Sequence, residues 1–65
     1  MTLQINGKTV TSQESILAQL LIERGFTGNS LIVELNGIII PASDYAITSL
    51  HENDVLEVLA IMGGG

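Results

Sequence analysis

The chain has 65 residues, 46% of them hydrophobic, and two basic residues against seven acidic ones for a net charge of −5. That is one small domain, of a size that buries only roughly 60% of the surface its unfolded chain exposes. Two basic and two aromatic side chains exclude a base-stacking nucleic-acid binder and a ligand of anionic membranes, and point instead to basic protein surfaces.

The N-terminal residues carry neither a basic segment nor a long apolar stretch, and the longest apolar run, 58–62, is far too short to span a bilayer. A cytoplasmic protein with no membrane contact is the expectation. With no cysteine, neither a disulfide nor a Cys-based zinc site can form, and one histidine with no cysteine leaves little material for a nucleophilic triad. No catalytic residue is assigned.

Leu3, Ile5 and Val10 alternate around Asn6-Gly7, the strongest short hairpin signal because both turn positions need positive φ. A two-residue loop pairs Ile5 with Lys8 and Leu3 with Val10. It puts these apolar residues on one face with Lys8 at its edge, and Gln4 and Thr9 on the other. A helix follows, with Ser15 as its expected N-cap in preference to a Thr11/Glu14 capping box. Ile16, Leu17, Leu20 and Leu21 form its apolar stripe, Ile22 falls outside it, Arg24 suits the helix's negative end and Gly25 suits C′.

Thr27-Gly28-Asn29-Ser30 is a turn cluster. Leu31–Leu35 reads as a strand interrupted by Glu34, and Asn36-Gly37 turns it into a second hairpin with Ile38–Ile40. Pro41 ends that strand or places it at a sheet edge. Residues 42–50 are expected to be irregular, with one short turn near Ser43-Asp44-Tyr45 and Tyr45 as a half-buried anchor. After a turn at Asn53-Asp54, residues 55–62 are apolar on both alternating faces apart from Glu57, a pattern that suits a central strand covered on both sides. His51-Glu52-Asn53-Asp54 contains metal-ligand types without ligand spacing and reads as a solvated turn, so no metal site is assigned.

The order ββαββ, irregular chain, β, with the last strand parallel to the first, gives an α+β fold of the β-grasp type, one main helix packed on one face of a mixed sheet. Residues 1–62 form the domain and 63–65 a flexible glycine tail.

On this pattern the chain resembles the ubiquitin-like sulfur carriers, most closely the ThiS type of thiamine biosynthesis. The resemblance covers the whole chain. It rests on the segment from Leu3 to Asn6, Ser15-Ile16 with Leu20-Leu21, and Val33, Asn36, Ile39-Ile40-Pro41 and Tyr45. Its most specific part is Asn53-Asp54-Val55-Leu56-Glu57-Val58 followed by the terminal Gly63-Gly64-Gly65. Departures are Asn53 where the family often has Gly, Ala42 where it often has Arg, and Tyr45 where it often has Trp. None touches the terminus.

The resemblance implies that the Gly65 carboxylate is adenylated by a ThiF-like partner enzyme using ATP. Sulfide or a persulfide donor such as a cysteine desulfurase then converts it to a thiocarboxylate, and the sulfur passes to a thiazole precursor at a thiazole synthase. The chain itself binds no cofactor and is a co-substrate rather than an enzyme. Gly63 and Gly64, lacking Cβ, suit a narrow partner channel, and three extended residues reach about 10 Å. If Leu56 and Val58 face the helix, Glu57, Leu59 and Ile61 lie on the other sheet face and form, with Met62, a candidate partner surface beside the tail. Glu34, Glu52, Asp54 and Glu57 could steer a basic partner. Rival readings are a carrier for molybdopterin or tRNA thiolation, a ubiquitin-like modifier, and a non-covalent β-grasp module with an inert tail.

Overall fold

The computed structural model describes residues 1–27 and 30–61. Strands β1 (Thr2–Ile5), β2 (Lys8–Thr11), β3 (Leu31–Leu35), β4 (Ile38–Ile40) and β5 (Val55–Ala60) form a five-stranded sheet in the order β2-β1-β5-β3-β4. One face carries the helix α1 (Leu17–Glu23), and a 3₁₀ helix at Ala42–Ile47 precedes β5. This is the β-grasp fold expected from the element order.

Both hairpins follow from their Asn-Gly pairs. Asn6 and Gly7 adopt φ of 53° and 80°, and Asn36 and Gly37 adopt 51° and 85°. Asn tolerates this left-handed region better than other residues with a side chain, and Gly enters it freely. The resulting registers pair Ile5 with Lys8, Leu3 with Val10, and Leu35 with Ile38. Pro41 both ends β4 and leaves it at the sheet edge, as its missing N–H requires.

The start of α1 departs from expectation. Ile16, not Ser15, is the N-cap, and no side-chain cap is made. Ile16 is extended and pairs with Ser49 in an isolated antiparallel bridge, Leu17 N–H donates to the Thr48 carbonyl at 2.9 Å, and Leu50 N–H donates to the Ser15 carbonyl at 2.8 Å. A distant backbone segment thus takes a first-turn donor that a serine hydroxyl would otherwise satisfy. The Thr11/Glu14 box does not form either. Glu14 N–H donates to Ser12 Oγ, whose hydroxyl donates to Glu23 Oε1 and ties the end of β2 to the far end of α1.

The C-terminus of α1 is a complete Schellman motif. Gly25 N–H donates to the Ile22 carbonyl and Phe26 N–H to the Leu21 carbonyl, with Gly25 at φ 81°. Nothing lies within 4 Å of where a Gly25 Cβ would stand, so conformation rather than space selects glycine there.

The core joins Leu3 and Ile5 of β1, Val33 of β3 and Leu56 and Val58 of β5 to Leu17, Leu20 and Leu21 of α1, closed by Leu50. Ile22 is 64% exposed, as its place off the stripe implies. Tyr45 packs half-buried against this core from the 3₁₀ helix. Segment 42–50 is therefore more regular than expected, its order coming from the contact between the 3₁₀ helix and α1. Strand β5 is shorter than expected, ending at Ala60. It is central in the sheet but covered on one face only: Leu56 and Val58 are buried while Val55 and Leu59 are exposed.

Both Asn-Gly turns also grip β5. Asn6 N–H donates to the Leu56 carbonyl at 2.9 Å, Val58 N–H donates to Asn6 Oδ1 at 2.8 Å, and Asn6 Nδ2 donates to the Val58 carbonyl at 3.1 Å. The side-chain amide of Asn6 thus extends the parallel ladder one step past the end of β1. Across the strand, Asn36 N–H donates to the Val55 carbonyl and Val55 N–H to Asn36 Oδ1. The sequence alone assigned both asparagines to turn geometry only.

Asn6→Gly keeps the turn and loses the two side-chain bonds to Val58, so it should cost about 1–3 kcal/mol. Asn6→Ala should cost about 1–2 kcal/mol more, because alanine also resists the left-handed φ. Urea unfolding of the two variants separates these terms. Leu20→Ala, at a fully buried position, should lose about 2–5 kcal/mol in the same assay. That is a large share of the ~3–10 kcal/mol expected for a chain this size.

Candidate functional site

The face of the sheet turned away from α1 is open. Alternation along β5 sends Leu56 and Val58 inward, and so sends Val55, Glu57 and Leu59 outward. The register with β3 places Ile32 opposite Leu59 and Glu34 opposite Glu57, and the register of β3 with β4 places Ile39 opposite Glu34. The surface that results is apolar at Ile32, Ile39 and Leu59, with two carboxylates at its centre. Leu59 is 63% exposed and Ile39 64%.

Ile61, at 53% exposure, continues this patch past the end of β5, where its N–H donates to the Ser30 carbonyl at 2.7 Å. Glu57, Leu59 and Ile61 are therefore exposed residues of the expected partner surface. Met62, Gly63, Gly64 and Gly65 lie outside the described residues, as does the expected turn at Gly28-Asn29.

The four acidic residues expected to steer a basic partner separate into two pairs. Glu34 and Glu57 are direct cross-strand neighbours, an arrangement that brings Cβ atoms to about 5 Å and sets like charges against each other. Glu52 and Asp54 sit before β5, at its end away from Ile61, and their carboxylates bond to β1, to the β3–β4 turn and within their own turn. Glu52 Oε2 accepts from Thr2 N–H at 2.9 Å. Asp54 Oδ2 accepts from His51 N–H at 2.7 Å, and Asp54 Oδ1 accepts from Asn36 Nδ2 at 3.0 Å. These two close the turn into β5 rather than extend the patch. Among the described residues no group of three or more His, Cys, Asp or Glu side chains could hold a metal ion. No described helix is long and apolar enough to cross a membrane.

Ile32 and Ile39 are the residues of this face that the strand pattern did not single out. The two-residue turn at Asn36-Gly37 already implies that Ile39 lies beside Glu34. Placing Ile32 and Glu34 beside Leu59 and Glu57 needs the β3–β5 register, which no local signal carries.

Known proteins share both the sequence and the fold. The ThiS family model matches residues 2–65. The uncharacterized protein ycf40 of Pyropia yezoensis is 36% identical over all of this chain and 93% of its own length. A thiazole synthase of Paramagnetospirillum magneticum is also 36% identical over the whole chain, in a match that spans 20% of that protein. Among solved structures, the crystal structure of the thiamine biosynthesis protein ThiS from Geobacter metallireducens superposes with a TM-score of 0.84 at 30% identity, with full coverage of both chains. The solution structure from the same organism gives 0.76 at 33% identity, covering all of this chain and 88% of that one. Sequence match and superposition both run the length of the chain, helix, hairpins and central strand included, and the chain belongs to the ThiS family.

Proposed function

We propose that this chain is a sulfur carrier of thiamine biosynthesis, a protein co-substrate and not an enzyme, with the carboxylate of Gly65 as its reactive group. The observation that carries this reading is that the family match runs to residue 65, through Gly63-Gly64-Gly65, on a fold whose central strand, Val55–Ala60, is the last described element before them. The match to a thiazole synthase favours thiazole formation over molybdopterin or tRNA thiolation.

A carboxylate is a poor electrophile and must first acquire a leaving group. In the proposed cycle a carboxylate oxygen of Gly65 attacks the α-phosphate of ATP on a ThiF-like enzyme, and pyrophosphate leaves. Sulfide attacks the resulting acyl carbon, AMP leaves, and a thiocarboxylate remains. When the donor is a persulfide, as from a cysteine desulfurase, its terminal sulfur attacks and a thiol then reduces the S–S bond of the acyl disulfide. The thiocarboxylate sulfur finally forms a C–S bond to an electrophilic carbon of the thiazole precursor on a thiazole synthase, and attack of an oxygen nucleophile such as water on the Gly65 acyl carbon breaks the acyl–sulfur bond, leaving sulfur on the precursor and returning the carboxylate. Residues 63–65, a glycine tail on the 1–62 domain, supply reach and slimness. The open face at Glu57, Leu59 and Ile61, together with Met62 next in the chain as a further contact, docks the body outside the partner's active site.

The acidic pair supports the docking role. Adjacent like charges on an exposed face lower stability, and a partner cation set between Glu34 and Glu57 would relieve their repulsion, while Ile39 and Leu59 supply apolar contact around it.

Intact-protein mass spectrometry after incubation with the adenylating enzyme, ATP and a sulfur donor should show oxygen-to-sulfur exchange at Gly65. Absence of both adenylate and thiocarboxylate with an active enzyme would sink the reading. Deleting Gly64-Gly65 should abolish the exchange and leave the thermal transition unchanged, whereas an inert-tail module predicts unchanged function. Glu57→Lys should act oppositely on the two properties. Converting a like pair to an opposite pair should raise stability by about 0.5 kcal/mol in urea unfolding. Affinity for the adenylating enzyme, measured by calorimetry, should fall about tenfold.

A further inference from the structure

The chain's two basic side chains, separated by 16 positions, meet in one place. Lys8, on β2, and Arg24, at the C-cap of α1, line the same cleft of about 230 Å³, together with Ile5, Asn6, Val10 and Phe26. All the Lys and Arg charge of a protein with net charge −5 is thus gathered there, and no acidic residue is among the lining. Among the described residues neither cation stands within ion-pair distance of a carboxylate. Arg24 also suits the negative end of α1, but the Leu21 and Ile22 carbonyls there are already taken by Phe26 and Gly25 N–H, so its guanidinium is not needed to bond them.

The lining also defines what fits. Ile5, Val10 and Phe26 provide an apolar floor beneath two cations. The space exceeds what a single ion fills, since a water molecule's share of liquid volume is about 30 Å³. The complementary occupant is an anionic group on an apolar stem. The cleft's position narrows the source. Asn6, which forms part of its wall, is bonded through its amide to Val58, three residues before Ile61, where the chain leaves the sheet toward Gly65. The cleft and Ile61 therefore lie toward the same end of the sheet, so that one protein engaging the residues after Ile61 has the cleft beside it.

We propose that the Lys8–Arg24 cleft receives an Asp or Glu side chain of the protein that accepts the C-terminal tail, a second anchor on the helix side of the sheet, distinct from the open face. The proposal rests on the carrier reading above. It gives the partner a mixed surface, with a cation for Glu34 and Glu57 and a carboxylate for the cleft.

The test measures KM for the carrier in adenylation of Gly65, using full-length chains. The double variant Lys8→Glu/Arg24→Glu should raise KM about tenfold or more, and Lys8→Gln/Arg24→Gln should fall between it and the wild type. Gln13→Glu/Gln19→Glu, which shifts the net charge by as much as Lys8→Gln/Arg24→Gln but at two exposed positions outside the cleft, should stay within about twofold, well under the tenfold step of a single strong contact. Thermal melts check that the variants are folded, and a graded rise in KM at equal melting temperature supports the proposal. A wild type that is adenylated with the same KM as both cleft double variants overturns it and leaves the carrier reading intact. A wild type that is never adenylated overturns both. Saturable shifts of the Lys8 and Arg24 amides with inorganic phosphate, alongside unchanged KM in the variants, would make the cleft a free-anion site and overturn the partner carboxylate.

Discussion

Everything in this molecule depends on how β5 is held between β1 and β3. The strand is last in sequence but central in space, lying between the two hairpins that precede it in the chain. Its parallel pairing with β1 covers only Gln4 with Val55 and Ile5 with Leu56 before β1 turns away at Asn6-Gly7. The amide of Asn6 continues that ladder by taking both polar groups of Val58, and Asn36 does the equivalent for Val55 on the other side. Buried backbone groups left unpaired are costly, so two asparagine side chains standing in for missing strand residues let a short β1 and a short β3 support a longer β5.

That arrangement fixes what β5 can offer a partner. With Leu56 and Val58 committed to the core under α1, every outward residue of the strand joins the open face. The open face is poorly optimised as a free surface. It sets Glu34 against Glu57 and leaves Ile39 and Leu59 largely in water. Glu52 and Asp54, the other two acidic residues expected to steer a partner, stand instead before β5 and carry structural work, closing its entry turn. Net charge alone does not distinguish these two uses of a carboxylate; hydrogen-bond partners do.

The differences between expectation and structure share one cause. Ser15 has the right chemistry for an N-cap and the right place before an apolar stripe, yet the helix begins one residue later because Ser49 and neighbouring backbone pair with the chain there. Segment 42–50 lacks a strong local pattern and gains its 3₁₀ form from packing on α1. Strand β5 looks two-sided by composition, but a sheet with a single helical layer covers only one side. In each case a contact between residues far apart in sequence overrode or completed a local preference.

The sequence by itself determined the two hairpins, the apolar stripe and C-terminal stop of the helix, and the end of β4 at Pro41. These follow from requirements that act within a few residues: positive φ at Asn-Gly and at Gly25, a missing N–H at Pro41, and burial periods of two and 3.6. Tertiary structure alone decided the register of β3 against β5, which makes neighbours of Glu34 and Glu57. It alone brought Lys8 and Arg24 into one cleft and turned Asn6 and Asn36 from turn residues into clamps on β5. Pairing register and the meeting of distant side chains depend on loop closure and on how a whole core packs, and no stretch of sequence contains that information locally.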